Sequence, residues 1–242
     1  LGLLGAGEIN RTVEFAVTVD ADTPAATVID NVATADYEDT LGIAQTPVDS
    51  NIASVTVDQV GGVLVAPDQS GSVPSATGST IDYGFIVTNT GNGSDWFDLS
   101  LVKSGPFFWP SELLDASGTT LIAQDTNGDG SWDYVNPAYD FDTDGRPDTA
   151  PLAAGATANV VLRLTVPPGT NPGDQEITSL VGTSNFGPES DRATATTTAV
   201  TNVDMAQITF GILDEPDPAL AGDFITYTLT YENTGSRNAN GV

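Results

Sequence analysis

Two acidic segments carry the clearest chemistry in this chain: DTNGDGSWD, residues 125–133, and DFDTDGRPD, residues 140–148. Both fit the pattern D-x-[D/N]-x-D-G-x-x-D and have Gly at the same position. This is the first nine-position stretch of an EF-hand-type calcium loop. Side-chain oxygens at positions 1, 3 and 5 converge on one centre, and the glycine at position 6 permits the sharp turn. Position 7 offers a backbone carbonyl, and position 9 a further carboxylate, direct or through water. The candidate ligands are therefore Asp125, Asn127, Asp129, Ser131 and Asp133 in the first loop. In the second they are Asp140, Asp142, Asp144, Arg146 and Asp148, with Ser131 and Arg146 acting through their carbonyls. Calcium takes six to eight hard oxygens, which such loops gather within a few residues, whereas magnesium keeps more water and stricter octahedral geometry. One or two Ca2+ ions are expected. The bidentate glutamate of a sensor loop is missing, since Asn136 and Pro151 stand at position 12. The bland alternative is a pair of acidic turns that hold no metal.

Other chemistry has less to stand on. The chain has no Cys and no His. That removes disulfides, thiol catalysis, thiolate metal sites and the commonest general base. A carboxylate pair could run glycoside hydrolysis, but the clustered aspartates are already accounted for by the calcium pattern. No enzyme activity is expected. Phe107, Phe108 and Trp109 sit between two prolines and form either a sugar-stacking platform or a plug over the end of a sandwich. Trp96 and Trp132 read as packing residues. Asn10-Arg11-Thr12 and Asn92-Gly93-Ser94 match the N-glycosylation acceptor pattern. Lys103 is the sole lysine, so a Lys–Asn isopeptide crosslink has one possible site, and none is expected there.

The formal charge is −27, from 33 acidic and 6 basic residues. Nucleic acids and anionic membrane surfaces both require basic patches, so neither is an expected partner. Cations or salt must screen such an excess, as calcium-rich or saline water outside a cell would. No stretch approaches the ~20 apolar residues of a membrane span. The opening LGLLGAGEIN lacks a basic leader, so processing and anchoring signals are expected elsewhere.

The elements that must position the loops are strands. Apolar residues alternate in short runs bounded by Gly, Pro, Asn, Asp and Thr, and the chain is expected to be all-β. IDYGFIVTNTGNGSD, from Ile81, returns as ITYTLTYENTGSRNA, from Ile225. TVEFAVTVDADTP, from Thr12, likewise parallels NVVLRLTVPPGTNPGD, from Asn159. These matches predict one complete module over residues 57–203, preceded by the C-terminal part of another at 1–56 and followed by the N-terminal part of a third at 204–242. Strands are expected at 62–66, 80–88, 96–102, 121–123 as a short edge, 158–166, 176–183 and 194–203, with Ile81, Tyr83, Phe85 and Val87 facing inward. Residues 111–115 read as one helical turn at most. About seven strands fit tandem immunoglobulin-like β-sandwich modules.

ITYTLTYENTGSRNANGV resembles the Asn-Thr-Gly signature of a repeat domain of bacterial and archaeal surface proteins. The middle module, with NTGNGSDWFDLS, LAAGATANVVLRLTVPPGT and GTSNF…SDRATATTTAV, is similar to a related Ig-like type, from which the GPFFWP insertion departs. The acidic loops resemble those of dockerin-like or thrombospondin type-3 repeats. The resemblance implies a structural, extracellular prokaryotic role in a filament, sheath or surface layer. Its partners would be copies of itself or neighbouring repeats, with strand complementation between half-modules as one route. The other readings are a glycan-binding adhesin module and an accessory domain of a large secreted enzyme.

Overall fold

The computed structural model describes residues 5–8, 12–201, 208–215 and 218–233. The chain divides between Gln59 and Val60. In the first unit, β1 (Val28–Asn31) pairs antiparallel with β4 (Ala53–Thr56), and β2 (Thr34–Ala35) with β3 (Val48–Asp49). The alternating segment from Thr12 joins no ladder, and Val13, Phe15, Val17 and Val19 are exposed. Alternation alone does not make a strand; an extended segment also needs a partner for its backbone groups and a cover for its apolar face.

The second unit holds the core. Its strands are β5 (Val63–Ala66), β6 (Gln69–Pro74), β7 (Thr80–Asn89), β8 (Phe97–Lys103), β9 (Ser111–Asp115), β10 (Leu121–Asp125) and β11 (Tyr134–Val135). After a single 3-10 turn at Pro137–Tyr139 come β12 (Thr157–Thr165), β13 (Gln175–Ser184) and β14 (Ser190–Val200). They build two sheets, in the orders β11-β10-β9-β12-β7-β5 and β6-β14-β13-β8. All neighbours run antiparallel except β6, which lies parallel to β14. The result is an all-β, immunoglobulin-like sandwich. Further on, β15 (Ile208–Glu215) and β16 (Thr226–Asn233) form an antiparallel ladder of their own.

Period-2 alternation explains the core. In β7, Tyr83, Phe85 and Val87 are buried while Asp82, Gly84 and Ile86 face out. They meet Val160, Leu162 and Leu164 of β12 and, from the other sheet, Phe97, Leu99, Leu101 and Leu180. Tyr227, Leu229 and Tyr231, the repeat's equivalents of Tyr83, Phe85 and Val87, are exposed on β16. The repeat's second Asn-Thr-Gly extends beyond the described residues. In the first copy, Asn89 is fully buried. Its Nδ2 donates to the carbonyls of Gly93 and Leu152, both at 2.8 Å, and its Oδ1 accepts from Gly91 N at 2.9 Å. The asparagine thus ties the turn after β7 to the end of the long acidic connection.

Three expectations need correction. Residues 111–115 are not a helical turn but strand β9, paired with β12 on one side and β10 on the other. Leu113 and Leu114 are both buried because this strand lies inside a sheet, where an unbroken apolar pair is satisfied. Residues 121–123 are not the edge, since β11 pairs outside β10. The middle module has ten strands rather than about seven. Strand β6 escapes sequence reasoning because QSGSVP reads as a turn; its proline ends an edge strand, where a missing donor is tolerated.

Candidate metal centre

The two acidic loops share four turn hydrogen bonds. In each, the position-1 aspartate accepts from the glycine N–H at position 6: Gly130 to Asp125 at 3.0 Å and Gly145 to Asp140 at 3.2 Å. Position 3 accepts from the N–H of position 5: Asp129 to Asn127 at 3.0 Å and Asp144 to Asp142 at 3.1 Å. Position 5 accepts from position 7: Ser131 to Asp129 and Arg146 to Asp144, both at 2.8 Å. Position 9 accepts from position 2: Thr126 to Asp133 at 2.7 Å and Phe141 to Asp148 at 2.6 Å. Gly130 and Gly145 take φ of +90° and +87°, which the shared turn requires and a side chain resists.

Their electrostatics differ. The second loop is laced to β8: Leu99 N donates to Pro147 O at 2.7 Å, and Thr149 N to Phe97 O at 3.0 Å. This brings Asp98, which the sequence did not flag, opposite Asp148. Oxygens of Asp140, Asp142 and Asp148 lie within 4.8 Å of one another, and so do those of Asp98, Asp142 and Asp144. One cation answers these five carboxylates: Arg146, with Nη1 3.3 Å from Asp98 and Nε 3.8 Å from Asp144. Asn185 Nδ2 adds a bond to Asp142 at 2.9 Å. Yet Asp98 Oδ1, Asp140 Oδ1 and Asp148 Oδ1 are buried with no hydrogen-bond partner. Asp148 is 1% exposed. Burial, helped by the charges of Asp98 and Asp142, pushes its carboxyl up to about 7. Burial, together with Asp144 and Asp142, also raises Asp98. Unpaired buried carboxylate oxygens are expensive, and a hard divalent cation relieves them all at once. The donor set therefore fits calcium.

The first loop is filled differently. Asp125 is fully buried; its Oδ1 accepts from Gly128 N at 2.7 Å, and Lys103 Nζ lies 3.1 Å from its Oδ2. Asp129 and Asp133 are exposed, and hydrogen bonds hold both below the usual carboxylate range, chiefly from Ser131 N to Asp129 and from Thr126 to Asp133. Asn127 Nδ2 is turned onto Asp129 at 3.0 Å. Among the described residues, no three acidic groups converge here as they do in the second loop. Lys103 lies against the position-1 aspartate of the first loop, a contact that the loop's pattern alone does not reveal.

The aromatic cluster does not form a three-ring platform. Trp109 is fully buried in the core, while Phe107 and Phe108 remain partly exposed. Trp132 packs against the core with Nε1 bonded to Leu99 O at 2.9 Å, and Trp96 is half-buried. Asn92 accepts from Val60 N at 2.7 Å, and Asn10-Arg11 lie outside the described residues.

No protein-family model matches the chain. Among solved structures, similarity is found to a family 123 glycoside hydrolase from Clostridium perfringens, with 8% identity and a TM-score of 0.34. The match covers 60% of this chain and 28% of that one. The CooA pilin subunit from enterotoxigenic Escherichia coli shares 12% identity at a TM-score of 0.32, over 59% of this chain and 99% of its own. AggA, the major subunit of aggregative adherence fimbriae type I from Escherichia coli, shares 20% at 0.26, over 60% and 98%. Likeness at this level leaves function to be read from the residues themselves. No helix among the described residues is long and apolar enough to cross a membrane.

Proposed function

We propose that this chain is a structural segment of an extracellular prokaryotic surface assembly, built from β-sandwich modules and stiffened by calcium at the second acidic loop. The observation that carries the reading is the set of three buried, unpaired oxygens on Asp98, Asp140 and Asp148 within a five-carboxylate cluster. Asp98, Asp140, Asp142, Asp144 and Asp148 would hold the ion. Calcium supplies charge neutralisation and a fixed joint between the loop and strand β8. The loop then becomes part of the sandwich wall rather than a hinged flap. A net charge of −27 suits the same setting, since it is screened in calcium-rich water outside a cell. Partners would be copies of the chain or neighbouring repeats, with strand complementation as one mode. A sugar-binding role has less to draw on, because Trp109 belongs to the core.

The test is electron microscopy of native material from the cell surface, with antibody labelling of the chain, in calcium and after chelation. Labelled filaments, sheaths or layers that loosen on chelation are expected, together with faster proteolysis within residues 125–148. Labelling confined to the cell interior, or a segment cleaved equally with and without calcium, refutes the proposal.

A further inference from the structure

Three ionisable side chains outside the calcium cluster meet in the interior of the sandwich. Lys103 ends β8 in one sheet, Asp125 ends β10 in the other, and Glu176 lies on β13 beside β8. The Lys103 side chain is 4% exposed, and Asp125 and Glu176 are fully buried. Lys103 Nζ is 3.1 Å from Asp125 Oδ2 and also donates to the Trp109 carbonyl. Glu176 Oε1 accepts a long 3.4 Å bond from Thr178, the Trp109 backbone N–H also bonds this carboxyl group, and Oε2 has no partner within hydrogen-bonding distance. Gly105 leaves room for that oxygen: a Cβ there would stand 2.8 Å from it. Burial drives the Glu176 carboxyl toward its neutral form, and Lys103 is near enough for its charge to oppose this.

A buried lysine with two buried carboxylates is a costly arrangement for stability alone. It is a well-arranged one for acyl chemistry. The amine is held against a carboxyl group in a water-poor interior, so the two groups need not be brought together from solution. Asp125 Oδ1 receives Gly128 N–H at 2.7 Å, where negative charge would build up during attack on the carboxyl carbon. The turn of the first acidic loop, which the metal reading leaves over, thus serves as a donor cradle for Asp125.

We propose that Lys103 and Asp125 become joined by an intramolecular amide bond after folding. A proton passes from the Lys103 ammonium to the Asp125 carboxylate across their 3.1 Å contact. The neutral amine attacks Cγ of Asp125, the N–C bond forms, the C–Oδ2 bond breaks, and the hydroxyl takes up a proton and leaves as water. No oxidant, reductant or activated co-reactant is consumed. The bond links the two sheets covalently and replaces a buried ion pair with a neutral amide. Its remaining oxygen still accepts from Gly128. The sequence argues against a crosslink because it offers one lysine and no evident asparagine partner; the structure supplies an aspartate instead.

The test is mass spectrometry of the full chain under denaturing conditions, followed by digestion with a lysine-specific protease. The folded wild type is expected to be lighter than its sequence mass by one water and to resist cleavage at its single lysine. Lys103→Arg and Asp125→Ala are expected at full sequence mass, and Asp125→Ala is cut. A wild-type chain at full mass and cut at Lys103 overturns the proposal. So does a water loss in a chain that is still cut, which marks dehydration at an Asp-Gly step such as Asp129-Gly130. The wild-type measurements stand even where a variant fails to fold.

Discussion

Asp148→Asn separates repulsion from ligation within the second loop. In the metal-free protein, the Asp148 carboxyl rises from 3.8 to about 7. Three such units correspond to about 4 kcal/mol spent on ionising it near pH 8. Asp98 and Asp142 share that cost, so neutralising one member should return about 2 kcal/mol. Asn keeps an oxygen to accept from Phe141 N, so the turn itself survives. For a module of about 140 residues, 1 kcal/mol moves Tm by about 3–4 °C, which gives a gain of about 7 °C in chelator. In calcium the gap narrows. At about 100 times a millimolar-range Kd the wild type gains roughly 2.7 kcal/mol, or about 9 °C. The variant, short of one charged ligand, gains about half as much. Differential scanning calorimetry in chelator and across a calcium titration reads both numbers. A variant that melts below the wild type in chelator and shows the same calcium shift would refute the reasoning, because Asp148 would then be neither a source of strain nor a ligand.

Three further outcomes follow from the same structure. In chelator, stability of the wild type should fall as pH rises from about 4 to about 7, by up to about 1.4 kcal/mol per pH unit. Over that window the folded state holds a proton on Asp148 that the unfolded state has released; urea midpoints at several pH values measure it, and saturating calcium should flatten the slope. Gly128→Ala should cost about 3 kcal/mol or more, because φ is +77° and the new Cβ overlaps the Phe108 carbonyl. Gly145→Ala, at the equally left-handed but open second turn, should cost only about 1 kcal/mol, and equal denaturation midpoints would contradict the distinction. Leu162→Ala, fully buried in β12, should cost about 2–5 kcal/mol by urea denaturation.

The parts of the site legible in sequence were the local ones. A D-x-[D/N]-x-D-G run specifies its own turn, since nearly every bond within each loop spans seven residues or fewer. The alternation of Tyr83, Phe85 and Val87 likewise named their side of the sheet, because a period of two leaves little choice. What the sequence hid depends on pairing between distant strands. Asp98 joins the cluster only because β8 is laced to residues 147–149, and Lys103, Asp125 and Glu176 meet only through the packing of two sheets. The two loops share one pattern, yet Lys103 enters the first and Asp98 the second, so their chemistry diverges through residues that lie outside both. Strand β9 was missed because SELLD, with its double leucine, shows no alternation; its two-sided pairing within a sheet is a tertiary property.

The parallel pairing of β6 with β14 bears on how the module would carry a mechanical load. Six residue pairs join these strands, from Gln69–Ala195 to Pro74–Val200, near the two ends of the module's chain. Because the strands run the same way, tension pulling the chain in at β6 and out at β14 slides one along the other. The bonds are then loaded in shear and must yield together. An antiparallel pair pulled from its open end would instead unzip one bond at a time. The module's second strand and its last thus form a tensile clamp, suited to a part pulled end to end.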